Sequence, residues 1–135
     1  MRITITRHVD DDHFDILAES GTHKATAEIY CETARLADFG RQLMEFPRDL
    51  RHEVVFQSGS ESPSYVFLVR LRAFVHDSSG HVALEVFMRS RFDPPNGADS
   101  HFFIHSDAAA LNRLGAALLH WAQTSEGHFE FDRAA

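Results

Sequence analysis

The chain has 135 residues, a formal net charge of −7, 44% apolar residues and a single cysteine. That length suits one domain, residues 1–135, able to bury a core without staples. The lone Cys31 excludes an internal disulfide framework and an all-cysteine metal site. The acidic balance, with Lys24 the only lysine, argues against a nucleic-acid partner and leaves room for a basic protein.

Arg2–Arg7 alternates Ile3 and Ile5 with Thr4 and Thr6, which predicts a strand. The acidic run Asp10-Asp11-Asp12 ends it. A second strand is expected over about His13–Glu19, with Phe14, Ile16 and Ala18 on one face. Ser20-Gly21-Thr22 has turn chemistry, and a third strand over about His23–Tyr30 completes a hairpin. Leu36, Phe39, Leu43 and Phe46 then recur at helical steps, so a first helix is expected over about Thr33–Phe46, starting from Glu32 or Thr33 and stopped by Pro47.

A fourth strand is expected at His52–Ser58, followed by a polar loop. Tyr65–His76 and His81–Phe92 form the clearest local unit, a long hairpin around Asp77-Ser78-Ser79-Gly80. Pairing His76 with His81 sets Val75 opposite Val82, Ala73 opposite Leu84, Leu71 opposite Val86 and Val69 opposite Met88, with Arg72 facing Glu85 on the other side. A slip of one residue would put charges on the apolar face, so this register is strongly specified. Strand Ser100–Ser106 leads into a second helix, about Asp107–Gln123, with Ser106 as the expected N-cap and Leu111, Leu114, Leu118 and Trp121 as its stripe. Gly127–Asp132 alternates Phe129 and Phe131 with acids and fits one more edge strand.

Residues 27–46 return 75 positions later at 102–121, with Ile29, Ala34, Leu36, Gly40 and Leu43 falling on identical residues. Each copy reads as a strand entering an amphipathic helix. Gly40 and Gly115 occupy matching places beside the apolar stripes, where a missing side chain allows close approach to a sheet or to the twin helix. The expectation is an α+β fold, ordered βββα-ββββα. A twisted, mostly antiparallel sheet of about seven strands would carry both helices on one face, related by an internal pseudo-two-fold. The alternative is two smaller sheets with a helix each.

Three features occur together: an extended segment entering Leu36-Ala37-Asp38-Phe39, the run Leu71-Arg72-Ala73-Phe74-Val75-His76-Asp77-Ser78-Ser79-Gly80-His81-Val82-Ala83-Leu84, and a closing Leu-rich helix. Over about residues 14–121 the chain resembles uncharacterised bacterial families of small α+β proteins, some regarded as immunity proteins that neutralise toxins. The resemblance implies a cytoplasmic, non-catalytic domain whose partner is a basic toxin domain. It supplies no functional residues.

The residues themselves show no catalytic motif: no Gly-x-Ser-x-Gly elbow and no Gly-rich loop opening a helix. No cofactor is expected. Nor is a metal, because the ten histidines include no His-x-His or His-Glu-x-x-His, and His101 and His105 lie about 13 Å apart on a strand. His76 and His81 can meet across their turn with only Asp77 as a nearby acid. Cys31 reads as an ordinary half-buried residue at a strand end. No signal peptide is visible and no run approaches the roughly 18 apolar residues of a membrane helix, so the expected setting is the cytoplasm without membrane contact. The one concentrated charge feature, Asp10, Asp11, Asp12 and the nearby Asp15, is the candidate patch for a basic partner. Two other readings stay open: a small-molecule binder or minor enzyme with a Phe-lined pocket between helices and sheet, and a subunit that dimerises through an exposed sheet edge.

Overall fold

A computed structural model describes residues 1–10 and 12–133. The elements are β1 (Arg2–Arg7), β2 (His13–Ser20), β3 (His23–Tyr30), α1 (Thr33–Met44), β4 (Glu53–Ser58), β5 (Phe67–Val75), β6 (Val82–Ser90), β7 (Ala98–Ser106), α2 (Ala108–Ala122) and β8 (His128–Asp132). The α+β class and the order βββα-ββββα are as expected, with β8 as the additional edge strand.

The strands do not form one sheet. They form two antiparallel four-stranded sheets, ordered β3-β2-β1-β8 and β4-β5-β6-β7. The reason is where the chain goes after each helix. Beyond α1 it leaves its own three strands, and β4 pairs with β5 of the second unit. Beyond α2 it returns, and β8 pairs with β1 of the first unit. Each βββαβ unit therefore lends its last strand to the other unit's sheet. The 75-residue offset persists through this exchange: β4 begins at Glu53 and β8 at His128, and buried Val54 falls on buried Phe129.

The β5–β6 register is the expected one, from Val75 opposite Val82 to Val69 opposite Met88, with Arg72 facing Glu85. His76 N–H donates to His81 C=O at 2.8 Å and closes the turn. Helix ends differ slightly. Asp107, not Ser106, caps α2: its backbone is extended and its Oδ1 accepts from Ala110 N–H at 2.8 Å. In α1 the helix ends at Met44 rather than Phe46, and Glu32 occupies the N-cap without a side-chain bond.

The helices pack on each other through their glycines. A Cβ on Gly115 would lie 2.5 Å from the Gly40 carbonyl oxygen, and one on Gly40 would lie 2.7 Å from the Gly115 carbonyl oxygen. Polar side chains finish both helices. Asn112 Nδ2 donates to the carbonyls of Leu43 and Phe46 at the end of α1, 2.7 Å each. Arg7 Nη2 donates to the carbonyls of Trp121 and Thr124 at the end of α2, at 3.2 and 3.0 Å, with its guanidinium 4.3 Å from the Trp121 ring centroid. Both devices serve carbonyls in the last turn or just past it, where the regular helical bonding runs out.

One continuous core joins the inner faces of both sheets to the stripes Leu36, Phe39, Leu43, Phe46 and Leu111, Leu114, Leu118, Trp121. Free volume at its centre, among Ile5, Ile29, Phe39 and Leu114, is about 10 Å³, a water at most. Cys31 is buried, and burial pushes its thiol up to about 11. Alkylation of Cys31 in the native protein near neutral pH should therefore run at least about a hundredfold slower than in the denatured chain, followed by mass spectrometry over time. Equal rates would show an accessible thiolate.

Candidate functional site

The outward face of the first sheet is not flat against solvent. Thr4 and Thr6 of β1, Asp15 and Leu17 of β2, and Thr26 and Glu28 of β3 form its floor. Phe67, Ser90, Phe92 and Asn96 of the second sheet's end stand over it, and together they enclose a hollow of about 510 Å³. A second hollow of about 510 Å³ shares Glu28, Phe67 and Phe92 and continues past Tyr30, Ser58 and Gly59 to Tyr65 and Val66. Shared walls make them one surface groove.

The groove is lined with large apolar groups left in water. Tyr30 is 57% exposed, Tyr65 50%, Phe92 49% and Val66 44%. Rings step along it: His8 on His13 at 3.7 Å, His13 on Tyr30 at 4.2 Å, Tyr30 to Phe67 at 6.5 Å and Phe67 to Phe92 at 5.6 Å. Strand pairing explains the clustering, since His13 is directly opposite Tyr30, and β1 reaches His8 just beyond the Arg7–Phe14 pair.

Asp15 lies directly opposite Glu28 in the same ladder. Like charges in that relation repel. Each carboxylate is met by a histidine: His8 Nε2 lies 2.9 Å from Asp15 Oδ1, and His13 Nε2 lies 2.6 Å from Glu28 Oε1. Tyr30 O–H donates to Glu28 Oε1 at 3.3 Å. The hydrogen bond to Asp15 raises the His8 pKa above its ordinary value, reinforced by the charges of Asp15, Glu28 and Asp10. Burial and the Glu28 charge raise that of Tyr30, so the phenol stays protonated.

Of the four acids expected to form a partner patch, Asp10 and Asp12 are exposed and line a hollow of about 220 Å³ with Arg7, His8, His13 and Thr33 at the groove's end. Asp12 is held in a left-handed turn, φ 61°, which Asp tolerates, and its carbonyl accepts from Cys31 N–H at 3.1 Å. Asp15 faces the groove but is paired to His8. Asp11 lies outside the described residues. Sequence reasoning missed His8, His13 and Glu28 as a set, along with Tyr30, Tyr65 and Phe92. The signal lay in the β1–β2–β3 register, which brings the set together from three strands rather than from any local spacing.

The outer face of the second sheet is built differently, with a charge network beside Val55 and Phe103, which are 46% and 47% exposed. Glu85, only 7% exposed, accepts from Arg72 Nε at 2.8 Å and pairs with His101 Nε2 at 2.8 Å. Arg72 also reaches Glu53 at 2.5 Å, and Arg89 pairs with Asp99 and Glu61 at 2.9 and 2.6 Å. At the β5–β6 turn, Asp77 accepts from Ser79 and His81 N–H and pairs with the His81 ring at 2.6 Å. His76 and His81 do approach, with ring centroids 5.9 Å apart, and His105 joins His76 at 5.3 Å. These groups hold the hairpin and sheet together. Among the described residues, no helix is long and apolar enough to cross a membrane. No protein-family model matches this chain, and no curated protein sequence matches it either.

Proposed function

We propose that this chain is a non-catalytic, cytoplasmic protein-binding domain of the immunity-protein kind, and that it holds a basic partner protein in the groove across its first sheet. The observation that carries this reading is the juxtaposition of exposed Tyr30, Tyr65 and Phe92 with the carboxylates of Asp15 and Glu28, with Asp10 and Asp12 in a separate hollow beside His8 and His13. Exposed aromatic rings supply binding energy when a partner covers them. Surrounding acids steer a basic surface inward and reject acidic ones. Both hollows are open to solvent, which suits a protein segment.

The test is titration calorimetry with basic toxin domains from the same genome, including any encoded beside this chain. A complex is expected whose association slows as salt rises. Tyr65→Ala and Phe92→Ala should each weaken it at least about tenfold, the scale of an aromatic anchor, with unchanged circular dichroism. No complex with any such domain, or full affinity in both variants, would refute the reading.

A further inference from the structure

We infer that His8, His13 and Glu28 form a binding site for a divalent transition-metal ion of the zinc class. His8, His13 and Glu28 each offer one ligand atom, and all three atoms lie within 4.8 Å of one another. Asp15 Oδ1 lies 2.9 Å from His8 Nε2, beside that trio but outside it. Two imidazole nitrogens and one carboxylate are a donor set that zinc takes with a water in the fourth position.

Three further observations favour an ion over two independent hydrogen-bonded pairs. Asp15 and Glu28 sit directly opposite each other, so two negative charges are held in one place by the strand register. A divalent cation offsets both negative charges at once, whereas each histidine meets only one of the two carboxylates. The donors also come from paired backbone: Glu28 from β3, His13 from β2, and His8 tied to β2 by its N–H donating to His13 C=O at 2.9 Å. Finally, the donors are only partly solvated, with side-chain exposures of 14% for His13, 31% for Glu28 and 32% for His8.

One adjustment is required. The imidazoles stack at 3.7 Å with planes 7° apart, and parallel rings cannot both aim their lone pairs at one ion. Turning the more exposed His8 ring about its terminal torsion resolves this, and that torsion is soft. Binding should therefore unstack His8 from His13. The ion would fasten the β1–β2 turn to β3 at the mouth of the groove. The proposal is independent of the partner reading, because it needs no partner for its test.

The experiment titrates the purified chain with zinc chloride alone in a calorimeter, and separately adds cobalt(II) and follows visible absorption. Expected are one ion per chain, bound tighter than about 100 μM, and the intense d–d bands of a tetrahedral site with cobalt. His13→Ala and the isosteric Glu28→Gln should each lower zinc affinity at least about tenfold, as loss of a ligand does. The control His76→Ala/His81→Ala, at the second histidine cluster, should bind as the parent does. Thermal unfolding without metal confirms that the variants fold. Affinity weaker than millimolar, or undiminished in Glu28→Gln and His13→Ala, would overturn the proposal. So would loss confined to the His76/His81 control.

Discussion

Gly115→Val should destabilise the protein by more than about 3 kcal/mol. The new Cβ alone would stand 2.5 Å from the Gly40 carbonyl oxygen, 2.7 Å from Leu43 Cβ and 3.0 Å from Met44 N. Two of these are backbone atoms of α1, and the third is anchored directly to it, so none can swing aside. The helices must part, and parting loosens the core stripes of both. Alanine is the milder probe. It gains about 1 kcal/mol of helix propensity over glycine yet carries the same clash, so Gly115→Ala should still cost about 2 kcal/mol. Urea unfolding measures both. The double variant Gly40→Ala/Gly115→Ala should cost less than the sum of its singles, because helices already parted accept the second methyl more easily. A Gly115→Ala protein as stable as the parent would mean that the helix contact is looser than described.

Glu85→Ala should cost about 3 kcal/mol, the scale of removing one partner from a buried charge cluster. It would leave Arg72 with Glu53 alone and His101 without its carboxylate. Glu85→Gln keeps the shape and one acceptor, so it should cost less. Acid separates charge from shape. Burial by itself would raise the Glu85 pKa, but hydrogen bonds from Arg72 and His101, aided by the charges of Arg72 and Arg70, outweigh burial and hold it below the ordinary glutamate value of 4.5. A depressed carboxylate contributes its full stabilisation above that ordinary value and loses it as pH falls through the lower folded value. The stability gap between parent and Glu85→Gln should thus be constant near neutral pH and narrow below pH 4.5. A gap that persists unchanged into strong acid would assign the effect to packing instead.

How much of this was legible in the residues depends on distance along the chain. The β5–β6 hairpin could be read to the residue, because alternation and a four-residue turn allow only one register without burying Arg70 or Arg72. The glycine contact could be half read: equivalent glycines announced a close approach, but not that the neighbour was the other helix. The expectation of one seven-stranded sheet was wrong and the two-sheet alternative held, since β4 and β8 carry alternation that any neighbouring strand would satisfy. The cap of α2 shifted by one residue because Ser106 and Asp107 both have the chemistry, and only backbone geometry selects between them. The histidine–carboxylate cluster was invisible to motif spacing. His8, His13 and Glu28 converge only once three strands align.

The exchange of β4 and β8 makes the two units interdependent in a way their similarity conceals. Duplicated architectures ordinarily let one copy loosen while the other stays intact. Here β5 loses a neighbour if the first unit opens, and β1 loses one if the second does. Each half is thus the edge protection of the other, so partial melting of either exposes raw strand backbone in both, and the molecule is fastened like a clasp with two hooks.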